Sequence, residues 1–232
     1  MKTLERLQGG LIVSVQARNG SAIDDPMVLA AMAAAAEANG AVAVRIKGIA
    51  NLRVVRARLK VPIIGLIKRE YPGFAPYITP TIEAAREVIA CGVEIVAFDA
   101  TARPRPDGSS VEATVAAIHD AGAFAMADCA TAGDALAALA AGSEILATTL
   151  CGYTDETRGV ALPALSLVRE LAELDAFVVC EGGIHHPDQV AAAFEAGADA
   201  VVVGTAITNT DWLVGEFAAR TPKGGGTGAG PS

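Results

Sequence analysis

Short apolar stretches alternate with longer Ala-rich stretches along almost the whole chain. Eight runs rich in Val, Ile and Leu predict strands, at residues 11–16, 41–46, 62–68, 94–99, 124–128, 144–149, 177–181 and 200–204. The stretches that follow them predict eight helices, at residues 26–39, 49–59, 81–91, 111–121, 131–141, 162–174, 187–196 and 211–220. The strands are continuously apolar rather than alternating, which is typical of parallel strands covered by helices.

This alternation predicts a single α/β domain, a (β/α)8 TIM barrel, over residues 1–220. A doubly wound open sheet is the alternative, but the barrel uses all the strand–helix units without leaving a spare element. The Gly-rich segment 221–232 predicts a flexible C-terminal tail rather than a further domain.

The composition is apolar but poor in aromatic residues: of 232 residues, 52% are apolar, 19% are charged and 4% are aromatic. Such a chain is too hydrophobic and too weakly charged for intrinsic disorder. Its closest candidate for a membrane span, residues 27–38, is too short and contains Glu37, so we expect no membrane association. The cysteines lack CxxC spacing and the first residues lack the apolar core of a secretory leader, which indicates free thiols in the cytoplasm.

The formal net charge of −8 argues against a nucleic-acid partner, which would require a basic face. It does not exclude a small anionic ligand held by a local cluster of Arg and Lys. The four cysteines and three histidines show no metal-binding spacing, so we expect no metal site.

The predicted barrel indicates where the active site lies, because active sites of this fold occupy the carboxyl ends of the strands. Nearly every predicted strand ends in a group that can ionise or form hydrogen bonds. In strand order these are Gln16, Arg45, Lys68, Asp99, Asp128, Thr148 with Thr149, Glu181, and Gly204 with Thr205. Their convergence on one rim predicts an active site there.

Lys68 and Glu181 are the candidate catalytic pair, because each follows a strongly apolar strand. Partial desolvation lowers the pKa of a lysine and prepares it to act as a base or a Schiff-base nucleophile. A Lys and a Glu that face one small cavity titrate together. The structural alternative is an ion pair that only stabilises the rim.

Two glycine turns are candidates for binding a phosphate. Gly182 and Gly183 follow the seventh predicted strand, and Gly204 with Thr205 follows the eighth. TIM barrels commonly hold a phosphate in these two loops, where backbone N–H groups can approach an anion closely. Two ordinary turns are the alternative interpretation.

Seven segments, in order along the chain, resemble one enzyme family. They read LIVSVQA (11–17), IGLIKR (64–69), YITPT (77–81), FDAT (98–101), MAD (126–128), TTLCGYT (148–154) and VVGTAIT (202–208). The chain is similar in these segments to the N-acetylmannosamine-6-phosphate 2-epimerases. The resemblance extends over nearly the whole chain, up to about residue 217.

The resemblance implies a cofactor-free isomerase of carbohydrate metabolism that interconverts N-acetylmannosamine 6-phosphate and N-acetylglucosamine 6-phosphate in sialic acid catabolism. Lys68 and Glu181 match the family's catalytic lysine and glutamate. The positions implied to bind the amino sugar are Gln16, Arg45, Tyr77, Asp128 and Tyr153. The family also implies a homodimer.

Two positions depart from the family pattern beside the predicted phosphate site. Gly183 and Asn209 stand where the family usually has arginine. Loss of two guanidiniums would remove strong bidentate contacts to a phosphate. An epimerase acting on an unphosphorylated N-acetylhexosamine is therefore an alternative substrate hypothesis, and Gly183→Arg with Asn209→Arg is expected to shift preference toward the phosphorylated sugar.

Two further alternatives belong to other functional classes. A barrel of this kind could bind a sugar phosphate without catalysis, although the presence of both Lys68 and Glu181 disfavours that reading. A Schiff-base aldolase would use Lys68 alone, and borohydride trapping of a lysine adduct would identify it.

Overall fold

Eight parallel strands form a closed barrel in the computed structural model, which describes residues 2–223. Each strand pairs with the next one along the chain, and the last closes on the first with Val203 opposite Val13. The strands are β1 (Gly10–Val15), β2 (Ala43–Lys47), β3 (Ile63–Leu66), β4 (Ile95–Asp99), β5 (Phe124–Asp128), β6 (Ile145–Ala147), β7 (Phe177–Glu181) and β8 (Ala200–Val203). The predicted (β/α)8 barrel is confirmed, and the open-sheet alternative is wrong.

Helices connect the strands and cover the outside of the barrel. They are α1 (Lys2–Leu7), α2 (Pro26–Ala38), α3 (Ile49–Arg56), α4 (Ile82–Ile89), α5 (Val111–Asp120), α6 (Ala132–Ala140), α7 (Leu165–Leu171), α8 (Pro187–Glu195), α9 (Thr205–Thr208) and α10 (Thr210–Ala218). All eight predicted helices are present, most of them slightly shorter than predicted. The helix predicted over 162–174 begins only at Leu165. Pro163 accounts for the exclusion of Leu162, because proline disfavours the helical conformation in the residue before it.

Two short helices, α1 and α9, have no counterpart among the predicted elements. They contain six and four residues, which is too short for a helical period to stand out in a sequence. In α1, Leu7 is fully buried in the barrel interior and Leu4 packs beside it. The first helix therefore seals the amino-terminal end of the barrel, opposite the predicted active site.

The strands bury both of their faces, which explains their continuous apolar sequences. One face fills the barrel with aliphatic side chains such as Ile12, Ile64 and Met126. The other packs against the helices through residues such as Val44 and Val201, together with many alanines. Small helix side chains let the backbone approach the barrel closely, and at Gly65 in β3 an added Cβ would lie only 2.6 Å from Val88 of α4.

Three further observations concern the C-terminal segment, the helices and the cysteines. Most of the predicted tail, residues 224–232, lies outside the described residues. Within residues 2–223, none of the helices has the length and apolar character needed to cross a membrane. Cys91, Cys129, Cys151 and Cys180 are all unpaired and buried.

Candidate active site

A cavity of about 740 Å³ opens at the carboxyl-terminal end of the barrel. Most residues that the sequence places in the site line this cavity, but Asp128 and Thr148 are not on its wall. The predicted residues on its wall are Gln16, Arg45, Lys68, Tyr77, Tyr153, Glu181, Gly182, Gly183, Gly204 and Thr205. Asp99, at the end of β4, is also absent from the wall and pairs with Arg103 instead.

Arg45 is the centre of a buried ionic cluster on the cavity floor. Its side chain projects from β2 into the barrel and is only 2% exposed. One guanidinium nitrogen donates to Glu181 at the end of β7, and another donates to Asp128 Oδ2 at 2.5 Å. A guanidinium is suited to this role because its planar fork can bind two carboxylates at once.

Asp128 lies beneath the cavity and is completely buried. Besides Arg45, it accepts a hydrogen bond of 2.6 Å from the Thr149 hydroxyl. Burial raises the pKa of Asp128 to about 7, against the opposing attraction of Arg45. Although the family resemblance implies that Asp128 binds the sugar, its contacts in the structure are with Arg45 and Thr149, which themselves line the cavity.

Glu181 is held in place by both its backbone and its side chain. Its amide donates to the Thr148 hydroxyl, and that hydroxyl donates to the Glu181 carbonyl at 3.0 Å. The second carboxylate oxygen of Glu181 accepts from Thr149 at 3.2 Å. Glu181 therefore presents a fixed carboxylate at the cavity wall.

Lys68 sits in a partly desolvated position on the same wall. Burial is the main cause that lowers its pKa to about 8, and the positive charge of Arg45 acts in the same direction. The ammonium lies 6.0 Å from the centre of the Tyr77 ring. A lysine with this pKa can exchange a proton with a substrate near neutral pH.

The segment after β3 fixes the position of Lys68. Lys68 lies two residues beyond the strand and forms an isolated antiparallel bridge with Ile78. Next to that bridge, Thr79 adopts a positive φ of 42° and its amide donates to the Ile67 carbonyl at 2.7 Å. Its hydroxyl also donates to the Ala97 carbonyl at 2.6 Å. This network holds the segment in a defined conformation although it lies outside a regular strand.

Lys68 and Glu181 do not form a direct ion pair within the described residues, since the carboxylate is bonded to Arg45 instead. The interpretation of the pair as a purely structural bridge is therefore wrong. The two charges still interact across the cavity, because Glu181 acts to raise the pKa of Lys68.

Gln16, Tyr77 and Tyr153 line the same cavity as Lys68 and Glu181. Gln16 donates to the Ser14 hydroxyl at 2.9 Å, and its buried carbonyl oxygen has no partner among residues 2–223. Burial raises the pKa of Tyr77 and of Tyr153, so both phenols stay protonated near neutral pH. Tyr153 remains 60% exposed at the mouth of the cavity.

Several cavity residues were not assigned a site role from the sequence. Lys47, at the end of β2, donates to the Ala17 carbonyl at 2.9 Å and to Asn19 Oδ1 at 3.0 Å. Arg18 and Glu70 also line the wall, as does Thr149, which the sequence places at the rim without a specific role. Their positions just after strand ends are the feature that could have identified them.

The glycine loops after β7 and β8 lie side by side on the wall. Thr208 of α9 donates to the Ser14 carbonyl at 2.8 Å, which ties the second loop to β1. A Cβ on Gly183 would lie 2.2 Å from the Cβ of Leu162, and its φ is +70°. The expectation that Gly183→Arg would create a phosphate contact is therefore revised, because the loop carrying Leu162 must first move.

The described residues contain no group of three His, Cys, Asp or Glu side chains that could hold a metal ion.

Comparison with known proteins matches residues 29–223 to the family model described as "Putative N-acetylmannosamine-6-phosphate epimerase". A Klebsiella pneumoniae protein named "Putative N-acetylmannosamine-6-phosphate 2-epimerase" is 47% identical over 212 residues, covering 91% of this chain and 89% of its own. A protein of the same name from Corynebacterium glutamicum is 43% identical over 223 residues, covering 94% and 95%. The solved N-acetylmannosamine-6-phosphate 2-epimerase from Clostridium perfringens superimposes with a TM-score of 0.89 at 36% identity, covering 92% and 94%.

Proposed function

The chain belongs to the N-acetylmannosamine-6-phosphate epimerase family, and from that premise we propose that it is an isomerase that interconverts N-acetylmannosamine 6-phosphate and N-acetylglucosamine 6-phosphate. The observation that carries the proposal is the placement of Lys68 and Glu181 on the wall of one cavity, above a buried guanidinium. Inversion at C2 needs two groups that can exchange a proton with opposite faces of the same carbon.

The reaction breaks and re-forms a single C–H bond. The C2 proton becomes acidic when the sugar is open and C1 is an aldehyde, because the electron pair of the broken bond then moves into an enolate. One group takes the proton from one face and the other returns a proton to the opposite face. Lys68, with its pKa of about 8, and Glu181 both line the cavity and are the two groups that we assign to this proton exchange.

Fixed donors stabilise the negative oxygen of the enolate. Arg45 is held rigidly by Asp128 and Glu181, so its orientation costs little reorganisation during the reaction. Gln16 has a buried carbonyl oxygen free for a substrate hydroxyl or amide, and Tyr77 lies beside Lys68. We assign these three residues, with Tyr153 at the mouth, to sugar binding, and Asp128 to the support of Arg45.

The charge of the cavity supports a phosphorylated substrate over a neutral one. Its wall carries the cations Arg18, Arg45, Lys47 and Lys68, against the carboxylates of Glu70 and Glu181. This local excess of positive charge occurs in a chain whose formal net charge is −8. Backbone N–H groups at Gly182, Gly183, Gly204 and Thr205 supply further donors for a phosphate on the same wall.

Proton exchange in D2O tests the proposed function directly. We expect N-acetylmannosamine 6-phosphate to gain deuterium at C2 as the gluco epimer appears in the NMR spectrum, because each inversion returns a solvent-derived proton. Unphosphorylated N-acetylmannosamine, run in parallel, is expected to react more slowly. Absence of exchange with both sugars would overturn the epimerase assignment, and faster exchange with the free sugar would overturn the phosphate assignment.

We expect kcat/KM to decrease above about pH 8 for both directions of the epimerisation. The two productive forms of the enzyme, protonated Lys68 with ionised Glu181 and the reverse, carry one proton in total. Above the pKa of Lys68, about 8, the pair loses that proton and neither direction can proceed. Opposite slopes for the two epimers, or a flat profile well above this pH, would contradict the two-group mechanism.

We further propose a homodimer in the cytoplasm. Val214 and Phe217 on α10 expose 61% and 75% of their surface, and burial of such side chains between subunits would be favourable. The four buried, unpaired cysteines support a reducing compartment.

A further inference from the structure

We propose that His185 binds the phosphate end of the substrate and thereby sets the preference of this enzyme for a phosphorylated sugar. The inference rests on the proposed function and deepens it, because it names the side chain that contacts the negatively charged end of the substrate. This contact lies at the β7–β8 side of the cavity. Lys68 and Glu181 act on C2, whereas His185 would act on the far end of the molecule.

His185 is the only ionisable side chain on that part of the cavity wall, within the part of the chain that the structure describes. The other wall residues after β7 and β8 are glycines, Ile184, threonines and Asn209. Barrels of this type hold phosphates in these two loops. A dianion placed there meets backbone N–H groups and one imidazole.

The ring of His185 is held in place before any ligand binds. It stacks on the indole of Trp212, with the ring centres 4.9 Å apart and an angle of 23° between the planes. The backbone amide of Trp212 donates to Asn209 Oδ1 at 3.0 Å, and the amide of His185 donates to Gln189 Oε1 at 2.7 Å. Asn209 thus fixes the start of α10, and Trp212 fixes the imidazole.

The neighbouring position cannot supply a cation without rearrangement. Gly183 has its φ at +70°, and an added Cβ would overlap the Cβ of Leu162 at 2.2 Å. Two residues further along, His185 is exposed and lines the cavity.

A phosphate is the partner that would stabilise the protonated ring. Among residues 2–223, no carboxylate lies within 4.0 Å of a His185 nitrogen. The titratable groups on the elements around it are His186 and Asp188 at the start of α8, Asp211 at the start of α10, and Tyr153. Helix α9 has no charged residue, and Arg18, Lys47, Lys68, Glu70 and Glu181 share the cavity. A dianion beside the ring favours its protonated form.

Trp212 is the only tryptophan of the chain, so its fluorescence reports on the stacked His185 ring. At constant pH, we expect N-acetylglucosamine 6-phosphate to change this emission, because the phosphate contacts the ring that stacks on the indole. Unphosphorylated N-acetylglucosamine should leave the emission unchanged. Equal changes with both sugars, or none with either, would overturn the proposal.

Kinetics of His185→Gln provide the second test, with His186→Gln as the matched control. We expect His185→Gln to lower the ratio of kcat/KM for the phosphorylated sugar to kcat/KM for the free sugar by about tenfold, the effect of one charge-assisted hydrogen bond. His186, which does not line the cavity, should leave that ratio as in the wild type. An unchanged ratio in His185→Gln would overturn the proposal.

A failure of the proposed epimerase function can be distinguished from a failure of the His185 proposal. A wild-type enzyme that converts neither sugar contradicts epimerisation, whereas the fluorescence titration requires only binding. The change in Trp212 emission on addition of the sugar phosphate would then still decide whether His185 contacts its phosphate.

Discussion

Replacement of Lys68 by Met is expected to abolish deuterium incorporation at C2 while leaving the barrel folded. The change removes one of the two proton-exchanging groups, and such a group contributes about 10²–10⁴-fold to a rate. Methionine has nearly the same length and no charge. Since burial is the main cause that lowers the pKa of Lys68 to about 8, removal of the buried charge should not reduce stability. NMR exchange and thermal unfolding measure the two effects on the same sample.

Lys60→Met is the control for this experiment. Lys60 is exposed at the end of the α3–β3 connection and does not line the cavity. It should keep the wild-type exchange rate. A Lys68→Met enzyme that still exchanges the C2 proton at the wild-type rate would contradict the catalytic assignment, and a Lys68→Met protein that fails to fold would indicate a structural role for the ammonium.

Replacement of Arg45 by Met should cause the largest loss of stability, together with loss of activity. The change leaves two carboxylates without their shared partner, one of them completely buried at Asp128. Loss of one partner from a buried ion pair typically costs about 3–5 kcal/mol of unfolding free energy. Urea unfolding of Arg45→Met is the measurement, and Arg220→Met, which removes an exposed pair with Glu216, should cost less than about 1 kcal/mol.

The pH dependence separates an unpaired charge from simple loss of packing in Arg45→Met. Burial already raises the pKa of Asp128 to about 7 in the presence of Arg45, and removal of the guanidinium raises it further. An acid whose folded-state pKa is raised destabilises the fold increasingly as the pH rises through the gap between its unfolded and folded values. The deficit of the variant should therefore be larger at about pH 8 than at about pH 5. A pH-independent deficit would indicate lost packing alone.

Asp128→Asn in the Arg45→Met background provides an internal check. It replaces the buried carboxylate by a neutral group of the same shape, so it should restore part of the lost stability. Activity should remain absent, because the amide cannot replace the guanidinium that we propose to stabilise the enolate.

Much of the fold could be predicted because strand and helix stretches differ in composition and length. The strands are buried on both faces, so their continuous apolar runs stand out, and Lys68 and Glu181 could be located by counting to the ends of those runs. Helices α1 and α9 could not be predicted, since a single turn has no periodicity to recognise.

The sequence could not predict which side chains the site residues contact. Arg45, Asp128 and Glu181 belong to strands separated by long helical connections, and only the closed barrel shows that the guanidinium takes both carboxylates. The sequence therefore placed Glu181 opposite Lys68 and could not show that Asp128 lies under the cavity. The stack of His185 on Trp212 likewise joins the loop after β7 to helix α10, which follows β8.

The contact between Gly183 and Leu162 also constrains how this protein can change over evolutionary time. Because a side chain at position 183 overlaps Leu162, a lineage can acquire one only after the loop that carries Leu162 has shifted. The reverse order places a Cβ against Leu162 at a backbone φ of +70°, which strains the loop. We therefore expect the effect of a substitution at position 183 to depend on the path of the loop that carries Leu162.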